Sequence, residues 1–98
     1  INTGIGWHEA RIPTVATPVA RGAFTWVTRT LKGHVSMPLV TTKRINDPQV
    51  ADDILSRCDA DMVSMARPFL ADAELLSEAQ SGRADEINTC IGCNQACL

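Results

Sequence analysis

The sequence predicts an α/β fold of consecutive βα units carrying a parallel sheet. Short apolar or β-branched stretches recur at 1–6, 38–42 and 61–65. A polar loop and then a stretch of helical periodicity follow each one, at about 25–35 residues per unit, as parallel βα architecture requires. Strands this short and apolar expect helices over them. The unit length suits a doubly wound sheet or a (β/α)8 barrel. A closed barrel takes about 250 residues and the chain has 98, so in a barrel it would be a part only. The chain opens at Ile1 and closes at Leu98, one residue after Cys97, and it reads as a piece of a longer polypeptide.

The elements follow in order. INTGIG at 1–6 alternates apolar and polar residues and ends in a glycine-rich turn, as a first strand running into the loop at 8–11. Over 21–33, Phe24, Val27 and Leu31 recur at helical spacing beside Trp26, and Gly33 is placed to cap the helix end. PLVTT at 38–42 is a short strand. Asn46-Asp47-Pro48 supplies a cap and an early proline, and Val50, Ile54 and Leu55 mark an amphipathic helix to about Arg57. The stretch 61–65 is the next strand, 68–70 a turn or short helix, and Asp72 caps a helix ending near Gly82. Trp7, Trp26, Met62 and Met65 are expected to pack in the core or under loops. His34 reads as a surface or capping residue and Cys58 as an isolated thiol. Asp52, Asp53, Asp72, Glu74, Asp85 and Glu86 belong to solvated helix faces.

Composition excludes several classes. Hydrophobic residues at 45% and charged residues at 20% are a globular balance. A net charge of -2 gives no general grip on nucleic acid. No apolar run approaches the roughly 18 residues of a membrane span, and neither end resembles a targeting segment. Three of the four cysteines, Cys90, Cys93 and Cys97, crowd the end of the chain. That spacing closes no useful disulfide loop. It suits metal ligation in a reducing, cytoplasmic compartment.

Three constellations carry chemistry. Cys90-Ile-Gly-Cys93-Asn-Gln-Ala-Cys97 offers soft thiolates, with Gly92 and Ala96 small enough for a tight backbone wrap. A triplet with no histidine nearby favours a 4Fe–4S cluster over structural zinc, with a fourth ligand outside the chain. Ser64-Met65-Ala66-Arg67-Pro68 and Thr42-Lys43-Arg44 stand at the C-terminal ends of consecutive strands, where βα folds bind ligands and often phosphate. Arg67 can grip phosphate oxygens bidentately, and the small Ala66 leaves room for backbone approach. Trp7-His8-Glu9-Ala10-Arg11 follows the first strand, on the same face. Histidine's ordinary pKa lies near neutrality, so His8 is of a type that can exchange protons, and Arg11 can hold a carboxylate, carbonyl or phosphate.

Four stretches carry a family resemblance that covers essentially the whole chain: NTGIGWHEARIPT (2–14), TTKRINDPQVADDIL (41–55), DADMVSMARPFLADAEL (59–75) and INTCIGCNQACL (87–98). They resemble the bacterial NADPH-dependent 2,4-dienoyl-CoA reductases, in the iron–sulfur branch of the Old Yellow Enzyme superfamily that also holds trimethylamine dehydrogenase and the clostridial enoate reductases. ARPF together with CxxCNxxC points to the branch, and WHEARIPT to the reductase within it. The resemblance implies that 1–86 are the last three βα units of an FMN-binding (β/α)8 barrel and that 87–98 begin a cluster-binding segment. It implies an electron relay from NADPH through FAD and a 4Fe–4S cluster to FMN, which reduces a dienoyl-CoA thioester in fatty acid β-oxidation. Arg44, Ala66 and Arg67 then contact FMN, chiefly at its phosphate. His8, Glu9, Ala10 and Arg11 line the substrate site, with His8 helping a tyrosine protonate substrate, and Cys90, Cys93 and Cys97 ligate the cluster. The chain has no tyrosine, so that donor and the FAD and NADPH domains are expected in the rest of the polypeptide. Lys43 stands where the resemblance expects a polar residue such as asparagine. The alternatives are another enoate reductase or amine dehydrogenase of the superfamily, or a small phosphate- or metal-binding module without redox turnover.

Overall fold

The computed structural model describes residues 1–7 and 9–97. In chain order the elements are α1 (Thr25–Leu31), β1 (Val40–Thr41), α2 (Pro48–Ser56), β2 (Met62–Val63), α3 (Arg67–Ala71), α4 (Leu75–Gln80) and a 3-10 turn (Ala84–Glu86). β1 and β2 pair in parallel, Val40 beside Met62 and Thr41 beside Val63. The expected first strand contributes a single parallel bridge, Asn2 to Val40. Thr3 N donates to Val40 O at 3.0 Å and Val40 N to Ile1 O at 2.8 Å, so β1 lies between its neighbours. The three stretches therefore stand side by side in chain order.

α2 forms where the caps placed it. Asp47, one residue beyond Asn46, is the N-cap, and its Oδ1 accepts from Gln49 N at 2.8 Å. Pro48 occupies the first turn, where its missing N–H costs no helix bond. Ile54 is 1% exposed and packs with Ile45 and Ala60, with Val50, Ala51, Val63 and Met65 around them. This cluster fastens α2 to β2 and, through Ile45, to the loop after β1. Leu55, expected on the buried stripe, is exposed.

α1 differs from expectation. It is shorter than 21–33, and its buried residues are Thr25 and Thr28. Thr28 Oγ1 donates to Thr25 O at 2.8 Å, so the hydroxyl enters the interior already satisfied. Phe24, Val27 and Leu31 are half-buried. Trp26, Trp7 and Met62 are exposed rather than packed, and Met65 alone of that group joins the cluster. Strands of two residues offer too little area to cover every bulky side chain. Gly33 ends α1 with φ +90, as a glycine beyond a helix terminus does.

Asp72 does more than sit on a solvated face. Its Oδ1 accepts from Glu74 N at 2.9 Å ahead of α4, and its Oδ2 accepts from Asn88 N at 2.9 Å. The carboxylate thus ties the segment before Cys90 to the start of α4. The Asn88 and Glu74 amides hold the Asp72 carboxyl below its ordinary range, the Asn88 bond being the larger cause and burial opposing both. A depressed carboxyl stabilises the fold above its unfolded value and loses that contribution as pH falls through the folded value. Hydrogen exchange at the Asn88 amide should therefore accelerate on acidification below the ordinary aspartate range, and in Asp72→Asn it should be fast already at neutral pH. Equal protection in both proteins would remove Asp72 as the tether.

Candidate functional site

The loops leaving the three parallel stretches enclose a cavity of about 480 Å³. Asn2 and Gly4 contribute from the first, Thr42 to Asn46 from β1, and Ser64 to Pro68 from β2. Thr14, Val15, Cys90 and Gly92 complete the wall. The two basic loops read from the sequence do converge, and the cysteine segment joins them.

The β1 loop turns through two consecutive left-handed residues, Lys43 at φ 78 and Arg44 at φ 55. Non-glycine residues rarely adopt this conformation, and such strain gathers at binding sites. The backbone gives a physical reason for asparagine at position 43, because asparagine tolerates left-handed φ better than lysine does. Lys43 brings a third cationic side chain to the wall.

Arg44 turns toward the chain itself. Its Nε donates to Ala16 O at 3.0 Å and to Val19 O at 2.8 Å, and its Nη2 reaches Thr17 O at 3.4 Å. Gly22 N donates to Arg44 O at 2.8 Å. Arg44 therefore staples the 16–22 loop over the cavity while lining it, a role absent from the sequence reading. Arg67 opens α3 beside the exposed Ala66 and is half-buried. Its Nη1 donates to Val15 O at 3.3 Å and to Asn94 Oδ1. Among the described residues its Nε and Nη2 have no protein partner, so one edge of the guanidinium fork is left for an anion. α3, at five residues, is too short to add much dipole, and the cationic side chains carry the attraction.

Asn46 is 4% exposed and spans to the cysteine segment, its Nδ2 donating to Cys90 O at 2.6 Å. Its Oδ1 and the Thr14 hydroxyl are buried without hydrogen-bond partners among the described residues. Thr17 Oγ1 donates to Ile91 O at 2.9 Å, and Asn94 Nδ2 to Val15 O at 2.9 Å. In the sequence Asn46 stands only as part of the Asn46-Asp47-Pro48 helix start, and Asn94 has no role of its own. With Asp47 serving as the cap, Asn46 is free to reach Cys90, and Asn94 is marked only by its place between two cysteines.

Gly92 stands at φ +69, and a Cβ there would lie 3.2 Å from the Ala16 carbonyl carbon. Backbone lies on both sides of this contact, and a left-handed alanine costs roughly 1–2 kcal/mol before any clash. Gly92→Ala is therefore expected to lift the cysteine segment off the 16–17 loop. Cleavage between Cys90 and Cys97 in limited proteolysis would report it, and wild-type behaviour would argue that the approach is not needed.

The thiols of Cys58, Cys90, Cys93 and Cys97 are all free, Cys90 half-buried and the others exposed. Gly92 and Asn94, the latter at φ 61, bend the backbone between the last three. The donor set is chemically suited to an iron–sulfur cluster. Among the described residues no three cysteine, histidine or acidic side chains are gathered at metal-ligand spacing. The chain supplies ligand types rather than a finished cage.

The third constellation stays apart. Glu9, Ala10 and Arg11 are exposed and do not line the cavity, so the structure does not bring them to Arg67. Ala10 N reaches back to Trp7 O at 3.4 Å in a turn. His8, the expected proton carrier, lies outside the described residues. No helix among the described residues is long and apolar enough to cross a membrane.

A family model described as the NADH:flavin oxidoreductase / NADH oxidase family matches residues 1–86. The chain is 43% identical over 98 residues to a metal reductase of Desulforamulus reducens, covering all of this chain and 15% of that protein. It is 32% identical over 68 residues to cinnamate reductase of Clostridium sporogenes, 69% of this chain and 10% of that protein. Among solved structures, 2-naphthoyl-CoA reductase in complex with 2-naphthoyl-CoA matches with a TM-score of 0.87 at 28% identity, over 96% of this chain and 14% of that chain. The chain thus spans 10–15% of these proteins. The likeness resolves the two architectures open to the sequence, because side-by-side strands with ligand loops on one face are here an arc of a flavoenzyme (β/α)8 barrel. With the match over 1–86, this chain belongs to the NADH:flavin oxidoreductase / NADH oxidase family.

Proposed function

We propose that the chain forms the phosphate end of the FMN site and the start of the cluster loop in a longer, cytoplasmic iron–sulfur flavoenzyme that reduces 2,4-dienoyl-CoA thioesters with NADPH. The observation that carries the flavin part is the cavity at the strand ends, walled by Lys43, Arg44 and Arg67, with one edge of Arg67 open. A dianionic phosphate fits the charge of this wall and the open edge of Arg67. Arg67 binds and orients it, Ala66 leaves space beside it, and Arg44 holds the 16–22 loop closed against it. When bound, FMN supplies the hydride chemistry that no side chain of this chain can supply. Cys90, Cys93 and Cys97 hold three corners of a 4Fe–4S cluster on a segment hydrogen-bonded to the same pocket. The fourth ligand and the FAD and NADPH sites belong to the rest of the polypeptide. His8 assists protonation of substrate, with Glu9, Ala10 and Arg11 around it.

The thioester reading is supported by the WHEARIPT segment and by the likeness to a solved reductase in complex with a CoA thioester. A second reading, an enoate or metal-ion acceptor, is supported by the likeness to cinnamate reductase and metal reductase. Anaerobic assay of the full-length polypeptide separates them. The expected result is stoichiometric FMN, iron and sulfide, with NADPH oxidation driven by 2,4-dienoyl-CoA far more strongly than by cinnamate or a soluble metal ion. Faster turnover with either competitor would transfer the assignment to it, and a protein without flavin would leave only a phosphate- or metal-binding module.

A further inference from the structure

The most concentrated polar network outside the arginine's own task lies where the cysteine segment meets the pocket. Asn94 stands between Cys93 and Cys97 in a left-handed conformation, φ 61. Its side-chain oxygen accepts from Arg67 Nη1 and its Nδ2 donates to Val15 O at 2.9 Å. The same Arg67 Nη1 also donates to Val15 O at 3.3 Å. Asn94, Arg67 and Val15 thus close a three-membered hydrogen-bonded ring, and the residues it joins are far apart in the chain. Asn46–Cys90 and Thr17–Ile91 fix the segment just ahead of the ring.

We propose that Asn94 is a positioning residue for the cofactor phosphate: the thiol-bearing segment, through Asn94, sets the angle at which Arg67 presents its free edge. The inference rests on the FMN reading above. A guanidinium is a planar fork, and holding one nitrogen fixes the direction of the other two. Asparagine is the residue suited to this position, because it tolerates left-handed φ and offers an acceptor and a donor from one amide. Aspartate would keep the acceptor for Arg67 but lose the donor to Val15. Glycine would keep the backbone and lose both. Docking of the cysteine segment thereby adds a second hold on the phosphate arginine, beside the Val15 carbonyl.

The test uses full-length protein, with FMN itself as the probe, titrated by flavin fluorescence after reversible flavin removal. Asn94→Gly, which avoids backbone strain, is expected to weaken FMN binding about tenfold, the scale of one charge-assisted hydrogen bond. Asn94→Asp should recover most of that loss, because the acceptor for Arg67 is restored. In Arg67→Ala the Asn94→Gly change should have no further effect, since residues acting through one contact do not add. Additive losses, or no rescue by aspartate, would reduce Asn94 to a structural residue and overturn the inference. Should Arg67→Ala weaken FMN while Asn94→Gly leaves it unchanged, the inference fails and the FMN reading stands. If the wild-type protein binds no FMN, or Arg67→Ala binds it as tightly, both fail.

Discussion

Purified Arg67→Ala holoenzyme should bind FMN roughly 10- to 100-fold more weakly than wild type, the range expected for losing a charge-assisted, bidentate phosphate contact. The side chain is half-buried, opens α3 and lines the cavity, and its Nη1 is already committed to Val15 and Asn94. Removing it deletes the open edge and also leaves the Asn94 oxygen without its donor, while the Val15 carbonyl keeps the Asn94 amide. Arg67→Lys keeps the charge but not the fork, so it should fall between the two. Titration of flavin-depleted protein with FMN gives the measurement. Undiminished affinity in Arg67→Ala would place the phosphate elsewhere and remove the main support for the proposed cofactor orientation.

Ile54→Ala should lower the unfolding free energy of the barrel by about 2–5 kcal/mol, and Ile54→Val by about 0.5–1.5 kcal/mol. Ile54 is 1% exposed and packed with Ile45 and Ala60, so truncation removes buried methyl groups and leaves a cavity that the helix cannot readily collapse. Because Ile45 directly follows Arg44, the loss should also loosen the β1 loop, and flavin should dissociate at lower denaturant than in wild type. Urea unfolding followed by both tryptophan and flavin fluorescence would show it. A loss below about 0.5 kcal/mol, smaller than even the milder substitution is expected to cost, would mean that α2 is not held through this cluster.

The parts of the fold legible in the sequence are those decided by neighbours a few residues apart. Asp47-Pro48 and the Val50–Ile54 spacing mark α2 because caps and helical periodicity act within a turn or two. The same local logic does not say which residue of the pair is the cap, since Asn46 and Asp47 are equally good cap residues by type. It also over-counts burial. Trp7, Trp26 and Met62 are apolar enough for a core, yet whether a core reaches them depends on sheet area, which composition does not carry. For the site, βα topology was enough to bring Arg44 and Arg67 to one cavity. It was not enough to place Glu9 to Arg11, because a long loop after a strand can leave the ligand face in any direction.

The sequence by itself determined the chemistry on offer: three thiols at ligand spacing, two basic loops at homologous strand ends, and a βα rhythm that admits only a few architectures. Only the tertiary structure decided what those groups hold. Arg44 spends its donors on Ala16, Thr17 and Val19, Asn46 reaches Cys90, and Asn94 holds Arg67. Residue type sets how many hydrogen bonds a side chain can make, but which partner arrives depends on chain closure over tens of residues. Closure is governed by the packing of the whole sheet and its helices, a cooperative property that no local stretch encodes.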